Sequence, residues 1–162
     1  SGVNAVTAGG EAGAALEHRV GTDGRKSEAL GEALEVDLAA PLAAGEKTTI
    51  RVAYSTPPDA MAIQILAPEQ TMGKKHPYLF TQCQAIHARS LMPCQDTPGV
   101  KSTYKAQVTA PAELTVLMSA IGDEAGPATL DDGRRRFGFT QKVPIPAYLL
   151  AIACGHLESR RI

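Results

Sequence analysis

A chain of 162 residues is long enough to form one domain with a buried core. Its 16 Lys and Arg against 17 Asp and Glu leave a formal charge of -1, which offers no electrostatic basis for binding nucleic acid or an anionic membrane surface. The three cysteines, Cys83, Cys94 and Cys154, are odd in number and irregular in spacing, which argues against a disulfide framework and fits a reducing, cytosolic compartment. The opening SGVNAVTAGG lacks the basic start and apolar core of a signal peptide. The longest apolar run, Ala147 to Cys154, is far short of the roughly 20 residues a spanning helix needs, so a soluble chain is expected.

Taken in chain order, the first 32 residues are rich in Ala and Gly and weakly patterned. They fit a loosely packed hairpin, a frayed terminus or a helix around Glu11 to His18. From there on, alternation dominates. Leu34, Val36 and Leu38 oppose Glu35 and Asp37; Ile50, Val52 and Tyr54 oppose Thr49 and Arg51; Tyr104, Ala106 and Val108 oppose Lys105, Gln107 and Thr109. Period-two patterning with one polar face predicts half-buried strands. Leu114, Val116 and Met118 alternate as well, as do Phe137 and Phe139. STPPD at 55–59 breaks a strand, Asp96-Thr97-Pro98-Gly99 predicts a tight turn, and the polar loop Ile121 to Gly133 predicts a hairpin between its flanking strands. Pro144 and Pro146 mark a strand entrance or an edge, because neither can donate to a central ladder. The run AYLLAIAC after them predicts the most buried strand, with a short buried helix as the alternative. No repeat or linker divides the chain. A single domain over 1–162 is expected, all-β, built as a sandwich or as a saddle-shaped curved sheet.

Self-sufficient catalytic machinery is not visible. The four histidines, His18, His76, His87 and His156, have no partner His, Cys or acid at ligand spacing, and HExxH, GxSxG, a phosphate loop and an EF-hand are all missing. Catalytic residues and a metal site are therefore not expected. Cys83 and His87 could form a dyad only by coincidence of the fold, so His87 is read as a structural residue. Gln82 and Gln84 are more suggestive. In an extended strand their amides point one way and Cys83 the other, giving a polar strip that could bind a short peptide, with a neighbouring strand edge adding main-chain groups. Two merely solvent-facing glutamines are the plainer alternative. Arg89, Asp96 and Pro98 read as a fold-stabilising corner, with Asp96 capping the turn and accepting a bidentate fork from Arg89.

The stretch TQCQAIHARSLMPCQDTPGVK, with LAPEQTMGKKHPYLF before it and LTVLMSAIGD and FTQKVPIPAYLLAIACGHLESRRI after it, resembles the zinc aminopeptidases of the leukotriene A(4) hydrolase type. The resemblance is strong from about Tyr54 onward. It implies the N-terminal β domain of such an enzyme, incomplete at both ends, with the strand of Gln82, Cys83, Gln84 and Ala85 lining the substrate cleft and touching the N-terminal residues of a bound peptide. It also implies, for the parent enzyme, a catalytic zinc domain on the same polypeptide, removal of N-terminal residues from peptides, and opening of the leukotriene epoxide. The GMEN-like exopeptidase motif and HExxH are not in this segment, so the segment alone is expected to be inactive. Ile65 stands where the family carries a Trp and reads as a core substitution. The reading from another class is a non-catalytic all-β interaction module; a large uncovered apolar face would favour the enzyme fragment instead. A small barrel-type ligand carrier is the weakest candidate, for want of evenly spaced strands.

Overall fold

In the computed structural model, residues 2–9, 13–21 and 31–160 are described. The chain divides into two compact units, Ser1–Pro57 and Pro58–Ile162. The described residues are almost entirely strand and turn, as the alternation predicts.

The first unit holds two antiparallel pairs. Strand β1 (Gly2–Ala8), β2 (His18–Val20), β3 (Leu34–Val36) and β4 (Ile50–Ser55) follow in order. β1 pairs with β4, from Gly2↔Ser55 to Ala8↔Ile50, with an irregularity between Val3 and Ala5. β2 pairs with β3. Residues 13–17 are extended or irregular, so of the three alternatives for this region the helix around Glu11 to His18 does not form there; Glu11 and Ala12 lie outside the described residues. Only Val6 and Leu16 are buried in this unit among the described residues, joined by the Leu16 N–H donating to Val6 O at 2.9 Å. β4 forms as the alternation predicts, yet Ile50 and Tyr54 stay exposed, and so does Leu38 beyond β3. Apolar alternation records a face that can be buried, not whether this chain supplies the cover.

The second unit carries β5 (Ile63–Leu66), β6 (Tyr78–Thr81), the single helical turn α1 (Ala88–Leu91), β7 (Lys101–Ala110), β8 (Thr115–Met118), β9 (Ile121–Gly122), β10 (Ala128–Thr129), β11 (Arg135–Pro146) and β12 (Ile152–Gly155). One sheet runs β5-β6-β12-β8; the other runs β10-β11-β7, with β9 also on β11. The two sheets close on a shared core. Val116, Leu114, Met118, Ile152 and Cys154 pack from one side against Phe137, Phe139, Ala106, Val108 and Ala110 from the other. β7 shows the clean inside-outside alternation expected of it.

Several expectations change. Residues 121–133 are not a plain loop joining β8 and β11: they contribute β9 and β10, both on β11, while β8 pairs with β12 in the other sheet. The chain changes sheet at Ser119. Its N–H donates to Ala151 O, its Oγ accepts from Ala151 N and meets Tyr104 Oη, and its O accepts from Gln141 Nε2, so one residue bonds both sheets. At Gly138 any Cβ would collide with the Asp123 carboxylate, which explains the missing side chain in an otherwise apolar-polar strand. Pro144 falls within the register shift between Gln141 and Ile145, and Pro146 closes β11 opposite Lys101, in keeping with the proline rule. AYLLAIAC is not the most buried strand. It splits into a 3-10 turn over Ala147–Leu149 and β12, whose residues are half-buried apart from Gly155. Ile65 is 50% exposed on edge strand β5, so it is no core substitution.

Candidate functional site

Strand β6 ends at Thr81, and Gln82 to His87 turn out of the sheet into α1. The glutamines therefore lie beyond the strand, not on it. β6 itself is flanked by β5 and β12, so the neighbouring free edge expected for strand addition is absent along β6. The predicted facing nonetheless holds: Gln82, Gln84 and Ala85 are exposed while Cys83 is 1% exposed. Cys83 sits in a second small core with Ala62 and Ala88, lined by Leu91, Ala147 and Tyr148. The proline-led turn at 147–149 thus delivers the floor beneath the glutamines.

Two main-chain bonds and one side-chain bond brace the segment. Gln82 N–H donates to Ala62 O at 2.9 Å, and His87 N–H to Cys83 O at 2.9 Å. Gln82 Oε1 accepts from Gln84 N at 3.1 Å, which spends one amide on shaping the turn. The Gln84 side-chain amide makes no hydrogen bond to the described residues and faces outward. The Gln84–Ala85 peptide is cis. Ser90, which the pattern did not single out, ties the turn down: its Oγ accepts from Ala62 N at 2.9 Å and donates to His87 O at 2.8 Å. A serine within an ARSL run carries no distinguishing signal, since its partner is 28 positions away.

Arg89 and Asp96 do pair, but not as expected. The Asp96 carboxylate oxygen Oδ2 accepts from both Arg89 Nε, at 3.2 Å, and Arg89 N, at 3.1 Å, and Arg89 Nη2 donates to Asp96 O at 2.9 Å. Asp96 therefore caps the first turn of α1 rather than its own turn, and the guanidinium spans a carboxylate oxygen and a carbonyl in place of two carboxylate oxygens. The turn itself closes from Val100 N–H to Thr97 O at 3.2 Å, with Pro98 and Gly99 at its centre.

Burial, and secondarily the Asp96 carboxylate, pushes the Cys83 thiol up, the direction that opposes a thiolate there. The Cys94 thiol is pushed up to about 11, first by desolvation, then by Asp96, with Arg89 opposing. Cys94 is an exposed residue, so ionisation and not access limits its reactivity. Its alkylation by iodoacetamide should be slow at pH 8 and rise about tenfold per pH unit toward pH 11. A rate that levels off near pH 9 would contradict this.

Among the described residues no group of three or more His, Cys, Asp and Glu could hold a metal, and no helix is long and apolar enough to cross a membrane. The class defined by these observations is an all-β domain that carries outward-facing amides on a braced turn. Within that class, the chain belongs to the Peptidase M1 N-terminal domain family, whose profile matches residues 11–149.

Relatives bear this out. The chain is 48% identical over 132 residues to leukotriene A-4 hydrolase of Xenopus laevis, covering 82% of this chain and 22% of that protein. It is 45% identical over 139 residues to leucine aminopeptidase 2 of Yarrowia lipolytica, covering 86% and 20%. The solved leukotriene A4 hydrolase of Saccharomyces cerevisiae superposes with a TM-score of 0.79 at 38% identity, over 99% of this chain and 22% of that one. An M1 zinc metallopeptidase from Deinococcus radiodurans, at 22% identity and a TM-score of 0.66, shares the fold. The chain thus spans about a fifth of the curated relatives it matches.

Proposed function

We propose that this chain is the N-terminal, substrate-cleft domain of a cytoplasmic zinc aminopeptidase of the leukotriene A4 hydrolase type. In that role Gln82 and Gln84 meet the N-terminal residues of a bound peptide. Ala85 shapes the same wall, and Cys83 anchors the turn from beneath. The outward display of two amides around a 1% exposed Cys83 carries this reading. Gln84 is the stronger ligand-facing group, because part of Gln82 is already engaged with Gln84 N. The kinship to leukotriene A-4 hydrolase and leucine aminopeptidase 2 supports the reaction class. The described residues do not fit the zinc of such an enzyme, so its ligands and the hydrolytic step fall to the remainder of the polypeptide.

Exposed apolar side chains support a neighbour within the same polypeptide. Met61, Ile65 and Leu117 are 70%, 50% and 55% exposed, apolar surface that is available to a neighbouring domain. Sequencing the transcript past the codon for Ile162 should reveal a GMEN-like motif and then HExxH. In the full-length enzyme, Gln84→Ala should raise KM for a peptide substrate about tenfold, the value of one lost hydrogen bond of about 1.4 kcal/mol. An unchanged KM with Gln84→Ala would remove the glutamine from the cleft, and an immediate stop codon would leave an interaction module.

A further inference from the structure

Strand β5 is an edge of its sheet, with β6 on one side and no second partner strand among the described residues. Gln82 N–H donates to Ala62 O, so residues 62 and 82 are a bonded pair of the antiparallel ladder. Bonded and unbonded pairs alternate in such a ladder. Gln64 and Leu66 therefore turn their main-chain groups toward β6, and Ile63 and Ile65 turn theirs to the open side. Ile63 N–H is taken by Ala60 O at 2.8 Å. Ile63 O and both main-chain groups of Ile65 meet no hydrogen-bond partner among the described residues. Open edges are ordinarily blunted by a charge, a proline or a bulge; the edge strand β7 of the other sheet carries Lys101 and Lys105. The Ile-Gln-Ile-Leu of β5 has none of these. Its side chains also end an apolar row, in which Val116, Cys154, Leu79 and Ile65 stand opposite one another in turn. Val116 lies in the core, and Ile65 is half-exposed at the rim.

This edge begins at the foot of the glutamine turn. Ala62, one residue before β5, is fully buried; its O accepts from Gln82 N and its N donates to Ser90 Oγ. The other uncharged edge of the sheet, β8, is separated from β6 by β12. We propose that an extended peptide whose first residues meet the glutamine turn adds to β5 as a parallel strand, with its downstream residues bonded to Ile63 and Ile65. The proposal rests on the reading of Gln84 as a contact for the peptide's N-terminal residues. The direction follows from that reading. β5 runs away from the turn, so a peptide held there by its N-terminal end runs the same way. In parallel pairing one peptide residue donates to Ile63 O and accepts from Ile65 N, and the residue two positions on donates to Ile65 O. The residue between them points its N–H away and sets its side chain beside Ile65, where an apolar group extends the row. Met61, 70% exposed at the start of the edge, adds adaptable apolar surface. Ala62 to Ile65 is about 10 Å of strand at about 3.3 Å per residue, so a dipeptide cannot span it. The ligand class is a peptide of about five residues or more, apolar at the position beside Ile65.

The test is a methylation scan of the hexapeptide Leu-Ala-Ala-Ala-Ala-Ala, assayed with the full-length enzyme. Each of its third to sixth amide nitrogens is methylated in turn. KM should rise about tenfold at two positions that are two apart, and change less than about twofold at the position between them, with kcat unchanged. A flat scan, or a rise at every position, would overturn strand addition at β5. Ile65→Pro removes the edge-facing N–H and leaves the β5–β6 bonds in place. In that variant the KM of the hexapeptide should rise about fivefold or more relative to that of the dipeptide Leu-Ala. An unaltered ratio in Ile65→Pro, shown by circular dichroism to be folded, would overturn the proposal as well; if the variant does not fold, the scan on the wild type decides. Gln84→Ala keeps two failures apart. An unchanged KM there sinks the glutamine reading on which the edge depends, whereas a raised KM with a flat scan sinks the edge alone.

Discussion

Phe139→Ala should destabilise the second unit by about 3–5 kcal/mol and lower its melting temperature by about 12–20 °C. The ring is 6% exposed and belongs to the cluster through which the two sheets meet. It pairs across β11 with Ala106 on one side and Gly122 on the other. Both neighbours are small, so neither can swell into the space an alanine would leave, and most of the cavity would persist. Ile121 provides the control. It is 70% exposed, and Ile121→Ala should cost less than about 0.5 kcal/mol. Chemical denaturation followed by far-ultraviolet circular dichroism distinguishes the two. A loss below about 1 kcal/mol for Phe139→Ala would mean that the sheets do not close over this ring.

Asp96→Ala should cost about 2–3 kcal/mol and loosen the candidate site specifically. The Asp96 side chain is 3% exposed, and its removal takes away the acceptor shared by the Arg89 main-chain N–H and Nε. The expected loss sits below that of a fully buried pair because the Arg89 side chain is 27% exposed and water can reach part of it. Asp96→Asn retains an acceptor oxygen and should lose about half as much. Arg89→Lys keeps the charge but not the planar reach from Nε to Nη2, so it should resemble Asp96→Asn more than the wild type. Because Asp96 caps α1, amide exchange should accelerate at Arg89, Ser90 and Met92 in Asp96→Ala, ahead of the sheet amides. Equal protection of these amides in the variant and the parent chain would refute the latching role.

Local chemistry explains what was legible. The alternation of Tyr104, Ala106 and Val108 and of Phe137 and Phe139 reports which side of a strand prefers burial, and β7 and β11 obey it. Thr97 to Val100 close through Pro98 and Gly99, and Arg89 meets Asp96, because both events involve residues within a few positions of each other. Gln82 and Gln84 are exposed and Cys83 is buried, but in a turn beyond β6 and not through the strand alternation from which that facing was expected.

What alternation could not report is which surfaces meet. β8 prefers β12 to β11, which turns an expected hairpin loop into β9 and β10. His76 and His156 carry no ligand spacing along the chain; they become neighbours because the β5–β6 connection folds back toward the end of β12. Ile65 and AYLLAIAC look like core by composition, yet Ile65 is half-exposed on an edge strand and β12 is only half-buried. The sequence by itself therefore determined the all-β class, the family and a tight turn through Pro98 and Gly99, although that turn closes one residue later than the Asp96–Gly99 span expected, since each depends on short-range sterics or on a contiguous run of residues. The tertiary structure alone decided strand partnership, the capping role of Asp96 and the histidine pair. Those depend on contacts between distant segments, whose closure is governed by how the sheets stack and not by the preferences of any one strand.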